Sequence, residues 1–278
     1  MSRPPAVAVM AKVPGASPVK SRLHSVLSAE RATDLYRCFL LDRLDALSTL
    51  EGVSPVVAFT PLEAVGRMRE LAPAGFRLVA QRGADLGERL STLLRELLAD
   101  GHAGAIAIDS DSPTLPLGYV AEAARVLREE RGDVVLGPCE DGGYYLIGLR
   151  SPQPDLFEGV PWSTDAVLST TLGKISRRGL SVHVLPRWFD VDTEIDLGRL
   201  HAEMTAARQG PARTYAFVRQ LYGTAVGTGP GPATTESLLL ARASKASEEA
   251  VGMAMDTKPI DPATGKHIRL TSYAACAG

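Results

Sequence analysis

The stretch that most constrains this chain is Ala103-Gly104-Ala105-Ile106-Ala107-Ile108-Asp109-Ser110-Asp111-Ser112-Pro113. A short, continuous apolar run ends in two carboxylates and a proline. Such a run reads as a strand buried on both faces of a mostly parallel sheet. Pro113 cannot continue the strand, so Asp109 and Asp111 fall at or just past its C-terminal end. In open α/β sheets that edge is where ligands bind. Two carboxylates one residue apart in a turn can hold a hard divalent cation, and the cation can hold phosphates. The same pair can also serve as a solvated turn or a helix cap.

The chain has 278 residues, 45% of them hydrophobic and 22% charged, which suits one α/β domain with an appendage. A domain of that size buries a full core without disulfides. The net charge of −2 argues against nucleic acid bound through bulk charge. Cys38, Cys139 and Cys276 form no paired or metal-binding spacing and read as reduced thiols. No apolar stretch reaches membrane-spanning length, and the N-terminal run is too short for a signal peptide. The expected location is the cytoplasm.

Along the chain, Ala6–Met10 reads as the first buried strand. It runs into a loop carrying Lys12, Pro14, Gly15, Pro18, Lys20 and Arg22. Backbone N–H groups and three cations in such a loop can wrap a di- or triphosphate, or simply be solvated. The loop is not a Walker motif, because G-x-x-x-x-G-K-[ST] is absent. Residues 29–50 show helical apolar spacing at Leu35, Phe39, Leu40, Leu44 and Leu47, with Ser28 as the N-cap. Strands are expected over 53–59 and 77–80, with a helix over 63–71 between them. Asp85 and Glu88 open a further helix that runs to Leu98. They read as its cap and as candidate ribose or base contacts.

Helix 119–130 and strand 133–138 lead to Asp141-Gly142-Gly143, then to strand-like Tyr144–Leu149. Paired glycines allow close approach of a ligand, and Asp-Gly is also a hairpin signal. A helical stretch over 162–172 and a strand over 181–186 feed Phe189-Asp190-Val191-Asp192-Thr193, a second pair of alternate carboxylates. Thr193 can cap the next helix. His183 reads as structural, and residues 197–222 as mostly helical. Domain 1–223 gives way to a Gly/Pro/Thr linker, then a weakly helical or disordered tail over 224–278.

The segments Lys12–Pro14 through Val19–Leu23, Asp85–Leu90, Asp109–Pro113 and Leu136–Leu149 together resemble one family. It is the bacterial glycosyltransferases of GT-A (nucleotide-diphospho-sugar transferase) fold, of the arsenosugar-biosynthesis type. Trp162–Asp165 and Phe189–Thr193 fit the same pattern. The resemblance spans residues 5–223 and extends to guanylyltransferases and other nucleotidyltransferases. It departs where Ser17-Pro18 replaces the family's glycine, leaving Gly15 as the permissive residue. Residues 268–278 are similar to the start of selenophosphate synthetase, so the tail reads as the truncated beginning of a fused domain. Cys276 does not inherit that family's catalytic role.

The resemblance implies a three-layer α/β fold with a mostly parallel sheet, and a metal-dependent glycosyltransferase using a nucleotide-diphosphate sugar. Asp109, Asp111, Asp190 and Asp192 would hold Mg²⁺ or Mn²⁺. Lys12, Lys20, Arg22, Asp85, Glu88, Gly142 and Gly143 would contact the nucleotide. Asp111 and Asp141 would serve catalysis, Asp141 towards the sugar or an acceptor hydroxyl. The alternatives are transfer of a nucleotidyl group from a nucleoside triphosphate to a small phosphorylated acceptor, and a nucleotide-binding module without turnover. The expected partners are a nucleotide and a small-molecule acceptor, with no nucleic acid and no membrane span. A homodimer is compatible with the sequence.

Overall fold

The computed structural model describes residues 2–224. The expected linker, helix and tail beyond residue 224, with the selenophosphate-synthetase-like segment, lie outside the described residues. The strands are β1 (Ala6–Lys12), β2 (Ser54–Thr60), β3 (Arg77–Ala80), β4 (Ala105–Ile108), β5 (Val134–Pro138), β6 (Tyr144–Leu149) and β7 (Val182–Val184). They form one seven-stranded sheet in the order β3-β2-β1-β4-β6-β5-β7. Every neighbouring pair is parallel except those of β6, which runs antiparallel to both β4 and β5.

The helices are α1 (Ala29–Ser48), α2 (Val65–Leu71), α3 (Leu86–Ala99), α4 (Leu117–Arg128), α5 (Val167–Arg177), α6 (Glu194–Ala207) and α7 (Ala212–Thr224). Side chains alternate across each strand, so β1 feeds two cores. Val7, Val9 and Ala11 pack with Leu40 and Leu44 of α1, Met68 of α2 and Val120 of α4. Ala6 and Ala8 pack on the other face with Leu90, Leu93 and Leu97 of α3 and Ile175 of α5. This is the expected three-layer α/β architecture. A third cluster joins α1, α6 and α7 through Leu35, Phe39, Leu200 and Val218, and takes in Phe189 and Val191.

Two expected helices differ in extent. The stretch 162–166 is a turn, and α5 begins only at Val167. The single expected helix 197–222 is two, broken at Arg208–Pro211, where Arg208 adopts a left-handed φ of 51° and Pro211 cannot donate an N–H. The fresh N-terminus of α7 is closed by Asp42 of α1, whose carboxylate accepts the N–H groups of Arg213 and Thr214 at 3.2 and 2.8 Å.

The one reversed strand brings the acidic segments together. The C-terminal ends of β1, β4, β5 and β7 and the N-terminal end of β6 share one edge of the sheet. The loop after β1, residues 109–112, the β5–β6 turn and residues 185–192 therefore gather there. Gln81 stitches that edge, donating to the carbonyls of Ala11 and Ala58 at 3.2 and 2.7 Å.

Candidate functional site

The loop after β1 leaves the sheet with the Val13 N–H donating to Thr60 O at 2.8 Å. Gly15 turns it with φ +75°, a conformation that strains residues with a Cβ. The permissive role expected of Gly15, given Ser17, agrees with this geometry. Lys20 is also left-handed, at φ 50° and ψ 39°. Its side chain is only 3% exposed, with Nζ 2.6 Å from Asp111 Oδ1 and 2.7 Å from Asp192 Oδ1. Phe39 backs the ammonium, with its ring centroid 5.8 Å away. Burial opposes the charge, but Asp111 and Asp192 outweigh it and hold the ammonium above the ordinary lysine range. Arg22 reaches Asp192 Oδ2 from the exposed side at 3.5 Å.

Asp109 lies deeper. Ser112 Oγ donates to its Oδ2 at 2.7 Å, whereas Oδ1 is buried without a hydrogen-bond partner. Burial, reinforced by Asp111 and more weakly by Asp190, pushes this carboxyl up to about 7. Ser112 and Arg43 pull the other way. Arg43 projects from α1 and is buried, donating to the carbonyls of Leu115 (3.1 Å) and Ser112. It thereby ties down the turn that carries both carboxylates. Two turns earlier on α1, the Tyr36 hydroxyl accepts the Lys12 N–H at 3.0 Å and meets Ser110 Oγ at 3.0 Å. Ser110 in turn donates to Met10 O at 2.9 Å. The polar chain fastens β1, α1 and the Asp-Ser-Asp turn to one another.

The second carboxylate pair arrives from β7. Val191 N–H donates to Asp111 O at 3.0 Å, and Trp188 pairs with the β5 end, its N–H reaching Pro138 O at 3.0 Å. Asp190 is pushed up to about 6 by burial, then by Asp192 and Asp141, with Lys20 opposing. Its ligand oxygen, one from Asp141 and Cys139 Sγ lie within 4.8 Å of one another. Burial and the surrounding carboxylates push the Cys139 thiol up in the metal-free protein. Five carboxylates (Asp109, Asp111, Asp141, Asp190 and Asp192) thus gather at one sheet edge, with Lys20 as the buried ammonium between two of them.

The remaining expected site residues have plainer surroundings. Lys12 is exposed at the end of β1. Asp85 Oδ1 accepts the Glu88 N–H and Glu88 Oε2 accepts the Ala84 N–H, each at 2.8 Å, so both cap α3. Asp141 Oδ1 accepts the Gly143 N–H at 2.8 Å. Gly142, at φ +91°, lies where a Cβ would stand 2.3 Å from Asp165 O, so packing of the hairpin already requires glycine there. Thr193 and Asp196 form a complete capping box on α6. His183 is buried beside Glu122, 3.6 Å away, and makes no contact with the acidic cluster. A cavity of about 700 Å³, lined among others by Arg43, Trp188, Met204 and Arg213, opens between α1 and the α6–α7 corner. None of the five carboxylates lines it.

Sequence reasoning missed Arg43, Tyr36 and Cys139. Arg43 had a signal: a cation three residues after Leu40 and four after Phe39, inside the apolar stripe of α1. Cys139 had none, because its neighbour Asp190 comes from another strand.

The seven-stranded α/β sheet with one reversed strand is of the GT-A, nucleotide-diphospho-sugar transferase type of fold. The chain is 33% identical to a Desulfovibrio desulfuricans G20 protein provisionally named a nucleotide-diphospho-sugar transferase, with a TM-score of 0.72 over 78% of this chain and 95% of that one. It belongs to the family of that protein. Residues 43–164 also match the profile of DUF2064, described as an uncharacterized protein conserved in bacteria. A mannosyltransferase from Pyrobaculum calidifontis, in complex with GDP-Man and Mn²⁺, is 14% identical with a TM-score of 0.46, over 89% of this chain and 81% of that one. A 4-diphosphocytidyl-2C-methyl-D-erythritol synthase from Anaerococcus prevotii is 10% identical with a TM-score of 0.48, over 72% and 96%. No curated protein matches the chain. Among the described residues no helix is long and apolar enough to cross a membrane.

Proposed function

We propose that this protein is a metal-dependent transferase that moves a glycosyl group from a nucleotide-diphosphate sugar to a small acceptor. The observation that carries the reading is the convergence of Asp111 and Asp192, from distant strands, on one buried lysine, with Asp109 Oδ1 left without a partner in the turn that carries Asp111. The four expected ligands are carboxylates, hard oxygen donors that suit Mg²⁺ or Mn²⁺. Asp109, Asp111, Asp190 and Asp192 would hold the ion, some of them through water, since among the described residues only Asp190, Asp141 and Cys139 bring three ligand atoms within 4.8 Å of one another. When bound, it supplies positive charge to the diphosphate that leaves with the nucleoside.

The chain's own residues do the rest. Arg22 adds positive charge at the mouth of the site and Lys20 adds it within. Lys12, at the start of the same loop, is free of ion pairs among the described residues and available to a phosphate. Asp141, on a glycine-flanked turn near Asp190, would accept a proton from an acceptor hydroxyl. Asp85 and Glu88 would contact ribose or base only in addition to capping α3.

The decisive experiment is a thermal-shift screen of nucleotides and nucleotide sugars with and without Mn²⁺, together with donor hydrolysis. A ligand present at a hundred times its Kd stabilises by about 2.7 kcal/mol. Selective stabilisation by nucleotide sugars with Mn²⁺ supports the reading, and indifference to all of them removes it. The basic loop directly after β1 favours a second reading, nucleotidyl transfer to a phosphorylated acceptor. Release of pyrophosphate from a nucleoside triphosphate separates it from the first.

A further inference from the structure

We propose that Lys20 is a resident counter-ion standing in the divalent-cation position between Asp111 and Asp192, so that the metal enters only as this ammonium leaves. The inference rests on the metal-dependent reading of the site and adds a condition to it: the ion and the lysine cannot share the site.

The geometry makes the two exclusive. Nζ touches one oxygen of each carboxylate at 2.6 and 2.7 Å. A Mg²⁺ or Mn²⁺ ion bound by those oxygens would sit roughly 2.1 Å from them, in the space the ammonium fills. Two like charges cannot occupy it together. The position is more than an acidic cluster, because a side chain that is only 3% exposed already fills it with a positive charge held by both carboxylates. An ammonium offers three N–H groups, and here two carboxylates and an aromatic face surround it, so it does not reach Asp109. A divalent ion there would take the Asp111 and Asp192 oxygens and complete its shell with water or phosphate oxygens.

The lysine is also built to move. Its backbone holds a left-handed conformation uncommon for a residue with a side chain, which directs the stem into the site. Its head is a compact charge on four flexible methylenes. Once displaced, the ammonium has the phosphates of a bound nucleotide as a chemically matching partner. Metal and nucleotide would then bind cooperatively, each improving the other's affinity by the same factor.

The test uses Mn²⁺ alone as the probe. Free Mn²⁺ is measured by electron paramagnetic resonance in titrations of the wild type, Lys20→Met and Arg22→Met. In parallel, amine acylation of wild-type Lys20 is tracked by peptide mass spectrometry across the same titration. Lys20→Met is expected to bind Mn²⁺ at least tenfold more tightly than the wild type. Arg22→Met removes a charge from the same carboxylate without vacating the position, and is expected to change affinity less than about threefold. Wild-type Lys20 should be protected without metal and acylated at saturating Mn²⁺. Protection that persists at full Mn²⁺ occupancy overturns the proposal even if Lys20→Met misfolds. Equal tightening by both variants overturns it too, since that is bulk charge rather than exclusion. In either case the metal-dependent reading stands. If Mn²⁺ binds none of the three proteins, both fall.

Discussion

Two kinds of acidic turn adjoin strands on the same edge of this sheet, and they behave oppositely. After β3, Asp85 and Glu88 each accept a backbone N–H, and neither carboxyl is left wanting a partner. After β4 and β7, Asp109 and Asp190 are pushed up to about 7 and 6 by burial and by their acidic neighbours. Residue type and position along the strand are alike. What differs is whether a helix start supplies orphan N–H groups to absorb the charge. A carboxylate that the fold satisfies is architecture, whereas one that the fold buries and leaves short of donors is available to a ligand.

That contrast can be broken by substitution. The largest effect is expected from Asp111→Asn, which removes a ligand oxygen while keeping the shape. Metal-dependent turnover of the donor should fall about a hundredfold or more, since the ion contributes several kcal/mol to charge stabilisation. Activity unchanged in a folded Asp111→Asn protein would return the Asp-Ser-Asp turn to architecture. Next comes Arg43→Met, which strips the buried cation that grips Ser112 and Leu115. Denaturant unfolding should show a loss of about 3 kcal/mol, together with weaker Mn²⁺ binding. A loss below about 1 kcal/mol, the net worth of an ordinary hydrogen bond, would mean that the turn holds itself.

The pH dependence of metal-free protein sharpens the contrast further. The folded-state values of Asp109 and Asp190 lie above the ordinary aspartate value, so the native state binds the extra protons. Their stabilising contribution is full below about pH 4 and is lost as pH rises through 6 and 7. Stability in a chelator should therefore fall between about pH 5 and 7, on the order of 1 kcal/mol per pH unit. Asp109→Asn should flatten much of that slope, and a slope unchanged in that variant would refute the assignment. The smallest effect belongs to Asp85→Ala. Loss of the α3 cap should cost about 1 kcal/mol by thermal or chemical unfolding, with Mn²⁺ affinity unmoved. A large drop in nucleotide affinity instead would give Asp85 the second role.

Much of this was legible in the chain before folding. The runs at 6–10, 105–108 and 134–138 are apolar on both faces, and only a sandwiched sheet accommodates them. Asp-Gly at 141–142 announced the β5–β6 hairpin. Where that hairpin inserts was not legible, because placing β6 beside β4 is a choice among non-local pairings. Gly210-Pro211 did signal the break between α6 and α7, and the apolar spacing across it masked the signal. At the site, both acidic pairs stood out by spacing at strand ends. The burial that separates Asp109 from Asp85 could not be read, since it depends on what packs over each turn. Arg43 and Tyr36 sat in plain view on the inner face of α1, polar residues in an apolar stripe.

The Val191 amide bound to the Asp111 carbonyl has a mechanical consequence. The gap between the two acid-bearing segments is gauged by main chain rather than by side chains. Phe189 and Val191, sunk among the helices α1, α6 and α7, clamp that gauge from behind. Side chains at the mouth can therefore diversify from one relative to the next while the spacing of the two jaws stays the same.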